Sequence, residues 1–573
     1  MGRGRIAAAV ALVALLAALG AVPAADNVTH RVMALVHELP WSAAWGPHWN
    51  PPPMGAWSVR PLSVLLLKLL DLMLDGSPPR WVLWLKAWLC LLALGFGGQA
   101  WLRAHKLPSW PAWMVLLLTP TLFSAWLLPE LDALGAGALL GGCALLSRGR
   151  WWPAGALLAF ALLLKESSAV VALAVLSAEL IGRRQRRWLV PLALGGLLWL
   201  GFLLTLPAGE GDPAHWSTRL PVLEHSAVQL LYLASPAGAV LLLLGPLRRP
   251  VLAWIGLAGL LIAPVMVSIS YYEAVYYAPR TLALGLTGAL LLGLLLHLPR
   301  YRTPVLAVLL PWAALALIML VGPTPREDLA SRLMLVVAVP LAGLSWAAVE
   351  RLFWGPHRVA VGALAAALGW YAVASTFNSA QDLRARAEVD GQGRALLASQ
   401  DLTDGIVLFD NHSEWVGPEE LAALGSTTAS TARFSSTPGW LSQTELPLAD
   451  WGHRPIHAER EWHQGTPIWL YFLGPNIRDG EGLTGDFAWN RRSWGVLESI
   501  LDGPNLLEQK RFSETRPLPS PLERLAAERG ALLLSAESHT LRLPVHLTEL
   551  PRRALTGLPV LERVTWRAAL YSL

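Results

Sequence analysis

Apolar runs long enough to cross lipid recur from residue 6 to about residue 377 of this 573-residue chain. A hydrocarbon core of about 30 Å takes about 20 apolar residues per helical crossing. Hydrophobic residues make up 54% of the chain and charged residues 15%, whereas about a quarter charged is usual for a soluble domain. The runs fall near 6–24, 81–102, 108–128, 132–147, 151–165, 168–182, 188–206, 226–246, 251–270, 279–298, 303–322, 333–350 and 358–377. The expected fold is therefore an α-helical polytopic membrane protein with about 13 spanning helices.

Loop charge sets the orientation. Basic residues occupy alternate connections: Arg3 and Arg5, Arg103 and Lys106, Arg148 and Arg150, Arg183 to Arg187, Arg248 and Arg249, Arg300 and Arg302, Arg351 and Arg358. The intervening connections carry nearly all the acids, from Asp26 and Glu38 through Glu130, Asp132, Glu166, Glu210, Asp212, Glu224 and Glu273 to Glu327 and Asp328. The positive-inside rule then puts the amino end in the cytoplasm and the acidic connections outside. The net charge of +5 comes mainly from these loop arginines, so it reports orientation rather than nucleic-acid binding. Met1 to Ala25 also fits a cleavable signal peptide, with its basic start and small-residue Val22-Pro23-Ala24 end. Either way the chain after residue 25 begins outside. The stretch Pro61 to Leu74 is apolar but short and carries Lys68 and Asp71, so it is expected to lie in the outer interface as an amphipathic helix.

The composition turns polar near Ser375, which divides the chain into a membrane-embedded part, 1–377, and an extracytoplasmic soluble domain, 378–573. Strands are expected at Gly405 to Phe409, Pro467 to Leu473, Ala531 to Leu534 and Thr540 to Leu547, and helices at Pro418 to Leu424 and Pro521 to Arg529. That pattern reads as mixed α/β or β-rich. Both cysteines, Cys90 and Cys143, lie in apolar runs, so no disulfide framework supports the outer domain.

Two sets of outer-side residues are candidates for chemistry. Asp26 follows the first helix, Glu130 and Asp132 open the fourth, and Glu166 opens the sixth. Side-by-side helices can bring such carboxylates to one mouth, where one could act as a base or hold a divalent metal. The plainer alternative is a set of solvated charges. Arg60, Lys165, Arg219 and Arg280 stand where positive charge is scarce and suit phosphate oxygens, with headgroup contact or a Lys165–Glu166 ion pair as the alternatives. Trp41, Trp45, Trp49 and Trp57 cluster in the first outer loop, fitting both a membrane interface and sugar stacking. Lys86 and Glu179 are the main ionisable residues within expected spans, each near enough to an end to reach an interface.

Four strings carry a family resemblance. They are Asp26 with Arg60-Pro61-Leu62-Ser63, then Pro120 with Glu130-Leu131-Asp132-Ala133-Leu134-Gly135, then Leu163-Leu164-Lys165-Glu166-Ser167, and Glu273-Ala274-Val275-Tyr276-Tyr277-Ala278-Pro279. In this order the chain resembles the C-type membrane glycosyltransferases. The resemblance is to the transmembrane and tetratricopeptide-repeat O-mannosyltransferases and their bacterial relatives. It implies a multi-pass enzyme of the bacterial inner membrane that moves a sugar from a polyprenyl-phosphate donor to a hydroxyl-bearing acceptor in the cell envelope, such as a protein or glycan. Asp26 would be the catalytic carboxylate, and Glu130 and Asp132 an acidic contact or the ligands of a divalent metal. Arg60, Lys165 and Arg280 would hold the donor phosphate, with Glu166, Glu273 and Tyr277 in support. The chain departs from the family where Asp26 is followed by Asn27, where Thr119, Leu122 and Ser124 replace histidines and a glutamate, and where Ala274 replaces an arginine. A lipid-linked sugar transporter and a catalytically inactive scaffold for the outer domain remain open as alternatives.

Overall fold

A computed structural model of the chain describes residues 3–20, 80–117, 119–126, 131–164, 166–205, 299–321, 335–353, 405–409, 433–436, 448–449, 455–456, 465–475, 526–544 and 561–573, with scattered positions in 62–69 and 359–402. The expected spans at 226–246, 251–270 and 279–298 lie outside these residues, as does the expected helix at Pro418 to Leu424.

Ten α-helices stand among the described residues: α1 (Arg3–Gly20), α2 (Arg80–Ala104), α3 (Pro111–Met114), α4 (Thr119–Trp126), α5 (Asp132–Ser147), α6 (Trp151–Leu164), α7 (Glu166–Arg183), α8 (Leu189–Thr205), α9 (Pro299–Val321) and α10 (Leu335–Phe353). Of these, α2 is long and apolar enough to cross a membrane, and Ala7–Gly20, Asp132–Ser147, Trp151–Leu164 and Leu335–Leu344 form shorter apolar helices. The run expected as one helix at 108–128 is broken into α3, a 3-10 turn at Val115–Leu117 and α4. Pro120, the second residue of α4, has no N–H with which to continue an α-helical ladder from the preceding turn. The Thr121 hydroxyl donates to the Val115 carbonyl at 2.8 Å and so takes up a backbone acceptor at the break.

α2 is the centre of the bundle, packed against α1, α3, α4, α5 and α10. Its contact with α5 is made by glycines. A Cβ on Gly97 would lie 2.0 Å from the Gly137 carbonyl oxygen, and one on Gly137 would lie 2.2 Å from the Ala93 backbone. Small residues at such a crossing let the two backbones touch, the packing mode on which helices depend where no water drives association. α5 returns through the Arg148-Gly149-Arg150 turn into α6, with Gly149 at φ +77°, and α7 then packs on α9, where Gly182 abuts Thr303.

The bundle is apolar outside as well as inside. Leu85, Leu89 and Phe96 on α2 and Leu194, Leu197 and Leu200 on α8 are exposed, while Ser63, Lys68, Lys86, Gln99, Asp132 and Glu179 are buried. Lys68 is 6% exposed and Leu69 51%. Within the expected interface helix Pro61 to Leu74, Lys68 is thus turned inward, while Asp71 lies outside the described residues.

In the carboxy-terminal part, a five-stranded sheet has the order β2-β1-β5-β7-β6, formed by Arg433–Ser436, Ile406–Phe409, Ile468–Pro475, Leu561–Ser572 and Leu532–Pro544. The pairs β1–β2 and β1–β5 are parallel, whereas β5–β7 and β6–β7 are antiparallel. A separate two-stranded pair joins β3 (Leu448–Ala449) to β4 (Pro455–Ile456). Ile406, Leu408, Ile468, Leu470, Ala569 and Tyr571 form the core of the five-stranded sheet with Ala526. β6, Leu532–Pro544, runs as a single strand from the segment expected at Ala531 to Leu534 into the one expected at Thr540 to Leu547, whose last three residues lie outside the described ones, with a register irregularity between Leu533 and Ser535. The polar Ser535-Ala536-Glu537-Ser538-His539 stretch that divides them in sequence is continuous strand, because pairing along β7 supplies the backbone partners that composition alone does not reveal.

Candidate functional site

One end of the bundle collects the starts of α2, α5 and α7 and the ends of α4 and α6. Leu131 precedes α5 without a capping side chain, leaving first-turn N–H groups in need of acceptors. Ser124, on the last turn of α4, fills that role: its Oγ accepts the Ala133 N–H at 2.9 Å. Asp132, the first residue of α5, is 4% exposed, and a carboxylate at a helix start is favoured by the helix dipole.

Lys86 approaches from α2. Its Nζ donates to the Ser124 carbonyl at 2.8 Å and to the Ala125 carbonyl at 3.0 Å, two of the acceptors that the end of α4 leaves without intrahelical donors. A cation at this negative helix end and a carboxylate at the adjoining positive one complement both dipoles. Cys90, one turn along α2 from Lys86, is within electrostatic reach of both Lys86 and Asp132. Lys86 thus does not run to an interface; it is buried and ties α2 to the α4–α5 connection. Ser124, which stands where the resembled family has another residue type, serves as a cap.

A second long-range bond lies at the same end. Ser63 Oγ donates to the Leu164 carbonyl at 2.6 Å, across 101 positions of sequence. Ser63 closes the Arg60-Pro61-Leu62-Ser63 string and Leu164 belongs to the Leu163-Leu164-Lys165-Glu166-Ser167 string. Leu164 ends α6 and Glu166 begins α7. Of the candidate site residues, Asp132 is described with its side chain and Glu166 by its backbone. Asp26, Arg60, Glu130, Lys165, Arg219, Glu273, Tyr277 and Arg280 lie outside the described residues. Among the described residues no three His, Cys, Asp or Glu side chains come together as a metal cluster.

The opposite end of the bundle holds a second polar cluster. Glu179 on α7 is fully buried. Its Oε1 accepts from Trp101 Nε1 at 2.8 Å and lies 2.7 Å from His105 Nε2, while Oε2 accepts from Arg183 Nε at 2.6 Å. Arg183 Nη2 also donates to the Ala104 carbonyl at 3.3 Å, at the end of α2. Glu179, like Lys86, is therefore satisfied internally rather than at an interface. The Glu179–Arg183 spacing of one helical turn was visible in the sequence; the contributions of Trp101 and His105 depend on how α2 packs. Lys86 and His105 stand about 28 Å apart along α2, at about 1.5 Å of rise per residue. The basic connections at Arg103 and Lys106, Arg148 and Arg150, and Arg184 to Arg187 fall at the Glu179 end, where Arg300 Nη2 donates to the Lys106 carbonyl.

No protein-family model, no curated protein and no solved structure matches the chain.

Proposed function

We propose that the chain is a membrane-embedded glycosyltransferase. It takes a sugar from a polyprenyl-phosphate donor and transfers it to a hydroxyl-bearing acceptor at the extracytoplasmic face. The observation that carries this reading is the Ser63–Leu164 hydrogen bond. It joins Ser63 to Leu164, which in sequence stand near Arg60 and beside Lys165, two cations that suit phosphate. Ser63 and Leu164 stand at the end of the bundle where Asp132 opens α5. In this reading the exposed apolar faces of α2 and α8 meet lipid, the Glu179 end faces the cytoplasm and the Asp132 end forms the outer mouth. Arg60, Lys165 and Arg280 neutralise the leaving phosphate, and Asp26 removes the proton from the acceptor hydroxyl. Asp132 with Glu130 lines the mouth or holds a divalent metal, which would supply charge to the leaving group.

Buried Lys86, Asp132 and Glu179 within one helical bundle favour a second reading, a transporter of lipid-linked sugar, since ionisable groups inside a bundle mark ion or substrate paths. Reconstitution into liposomes with labelled polyprenyl-phosphate sugar separates the two. Sugar appearing on an acceptor supports the transferase; lipid moving between leaflets without transfer supports the transporter. Binding with neither outcome leaves a scaffold and overturns both.

A further inference from the structure

The sequence leaves the fate of the first apolar segment open, since Met1 to Ala25 suits a cleaved export signal as well as a spanning helix. The contacts of α1 bear on that choice. Val13, Leu16, Ala17 and Gly20 are buried, spaced as one face of a helix, and α1 packs on α2 and α4. Val13, Leu16 and Ala17 share one core cluster with Leu91 and Leu94 of α2 and Trp126 of α4. A Cβ on Gly20 would overlap the Trp126 indole, so the last turn of α1 fits there only as glycine. Two indole N–H groups reach across to the backbone of α1. Trp84 Nε1 on α2 donates to the Ala14 carbonyl at 3.3 Å, and Trp126 Nε1 at the end of α4 donates to the Leu16 carbonyl at 3.0 Å.

An export signal leaves the protein it leads. Removing α1 would take both carbonyl acceptors from the indoles and uncover the core face it fills, and each loss is costly in an apolar interior. We infer that α1 is a permanent helix of the bundle rather than a cleaved signal, and that it tethers the chain following it to the end of the bundle where Asp132 opens α5. Trp126, against Gly20, closes α4 and stands six positions before Asp132. Asp26 comes six residues after Gly20, about 20 Å of chain at full extension, so a retained α1 bounds its distance from this end. Retention rests on the helix contacts alone; the consequence for catalysis by Asp26 rests on the transferase reading.

Intact mass and amino-terminal sequencing of the full chain purified from membranes test retention. Arg3 to Gly20 should be present in the mature protein, and a mature end between residues 21 and 27 would overturn the proposal. Melting in detergent tests the contacts. Trp126→Phe keeps an aromatic ring but loses the indole donor, and should lower the melting temperature by several degrees. Gly20→Leu should lower it further or prevent folding, and pairing it with Trp126→Ala, which clears the space, should recover part of that loss. A melting temperature unmoved by Gly20→Leu and by Trp126→Phe would overturn the proposal, because α1 would then contribute nothing to the folded bundle. Retention together with no sugar transfer would support the tether and sink the transferase reading alone.

Discussion

Glu179 takes donors from Trp101, His105 and Arg183 within 2.8 Å and is fully buried. Removing one partner of such a group leaves the others charged or polar without water. Glu179→Ala should therefore lower stability by about 3–5 kcal/mol, the usual cost of breaking a buried ion pair from one side. Replacing Glu179 and Arg183 together with Leu and Met should recover a large part of that loss, since both charges then leave the apolar interior. Thermal unfolding in detergent, followed for Glu179→Ala and for the double replacement, reads the result. Equal losses for the single and double variants would mean that packing, not charge, is at stake. Lys86 makes the same point about what a sequence discloses. Its charge in an apolar run is plain to read, but its partners are backbone carbonyls of α4 whose availability depends on the break that Pro120 introduces. Asp132 is legible in the sequence from its place before an apolar run, and it stands at the start of α5. The capping role of Ser124 is not legible in the sequence, because a serine nine positions from the N–H it accepts has no local pattern.

At the scale of elements, α5 and α6 begin and end within a few residues of the expected bounds, because length and apolarity alone mark such runs. The 108–128 run misled for a reason local to Pro120, whose effect on a ladder outweighs hydropathy. The α2–α5 contact makes the sharpest prediction here. Gly137→Leu would drive a side chain into the Ala93 and Leu94 backbone, which cannot move aside as a flexible side chain could. It should cut the yield of folded protein severely, whereas Gly155→Leu on α6, where a Cβ meets nothing within 4 Å, should be tolerated. Size-exclusion profiles of the two variants in detergent distinguish them. In the sheet, β1 and β5 were legible from their short apolar runs, Ile406 to Phe409 and Ile468 to Leu473. β7 was not, since Leu561 to Ser572 mixes charged and apolar residues without clean alternation and its pairing with both β5 and β6 is what makes it a strand.

For the whole molecule, the proposed orientation makes a direct prediction from loop charge. A reporter fused after Arg187 should be active in the cytoplasm and one fused after Leu573 only outside it. Signals with the opposite sense at either point would dismantle the proposed topology. The enzymatic reading rests on Asp26, which follows the first apolar helix as the only acid before Glu38. The amide of Asn cannot take a proton from an acceptor hydroxyl, so Asp26→Asn should keep donor binding and lose turnover by about 10²–10⁴-fold, the usual contribution of a positioned base. The most direct test is sugar transfer itself. Purified protein in liposomes, given a labelled polyprenyl-phosphate sugar and a hydroxyl acceptor, should release polyprenyl phosphate in step with labelled acceptor, and Asp26→Asn should nearly abolish both. Release by neither protein, or the same rate from both, would contradict the account.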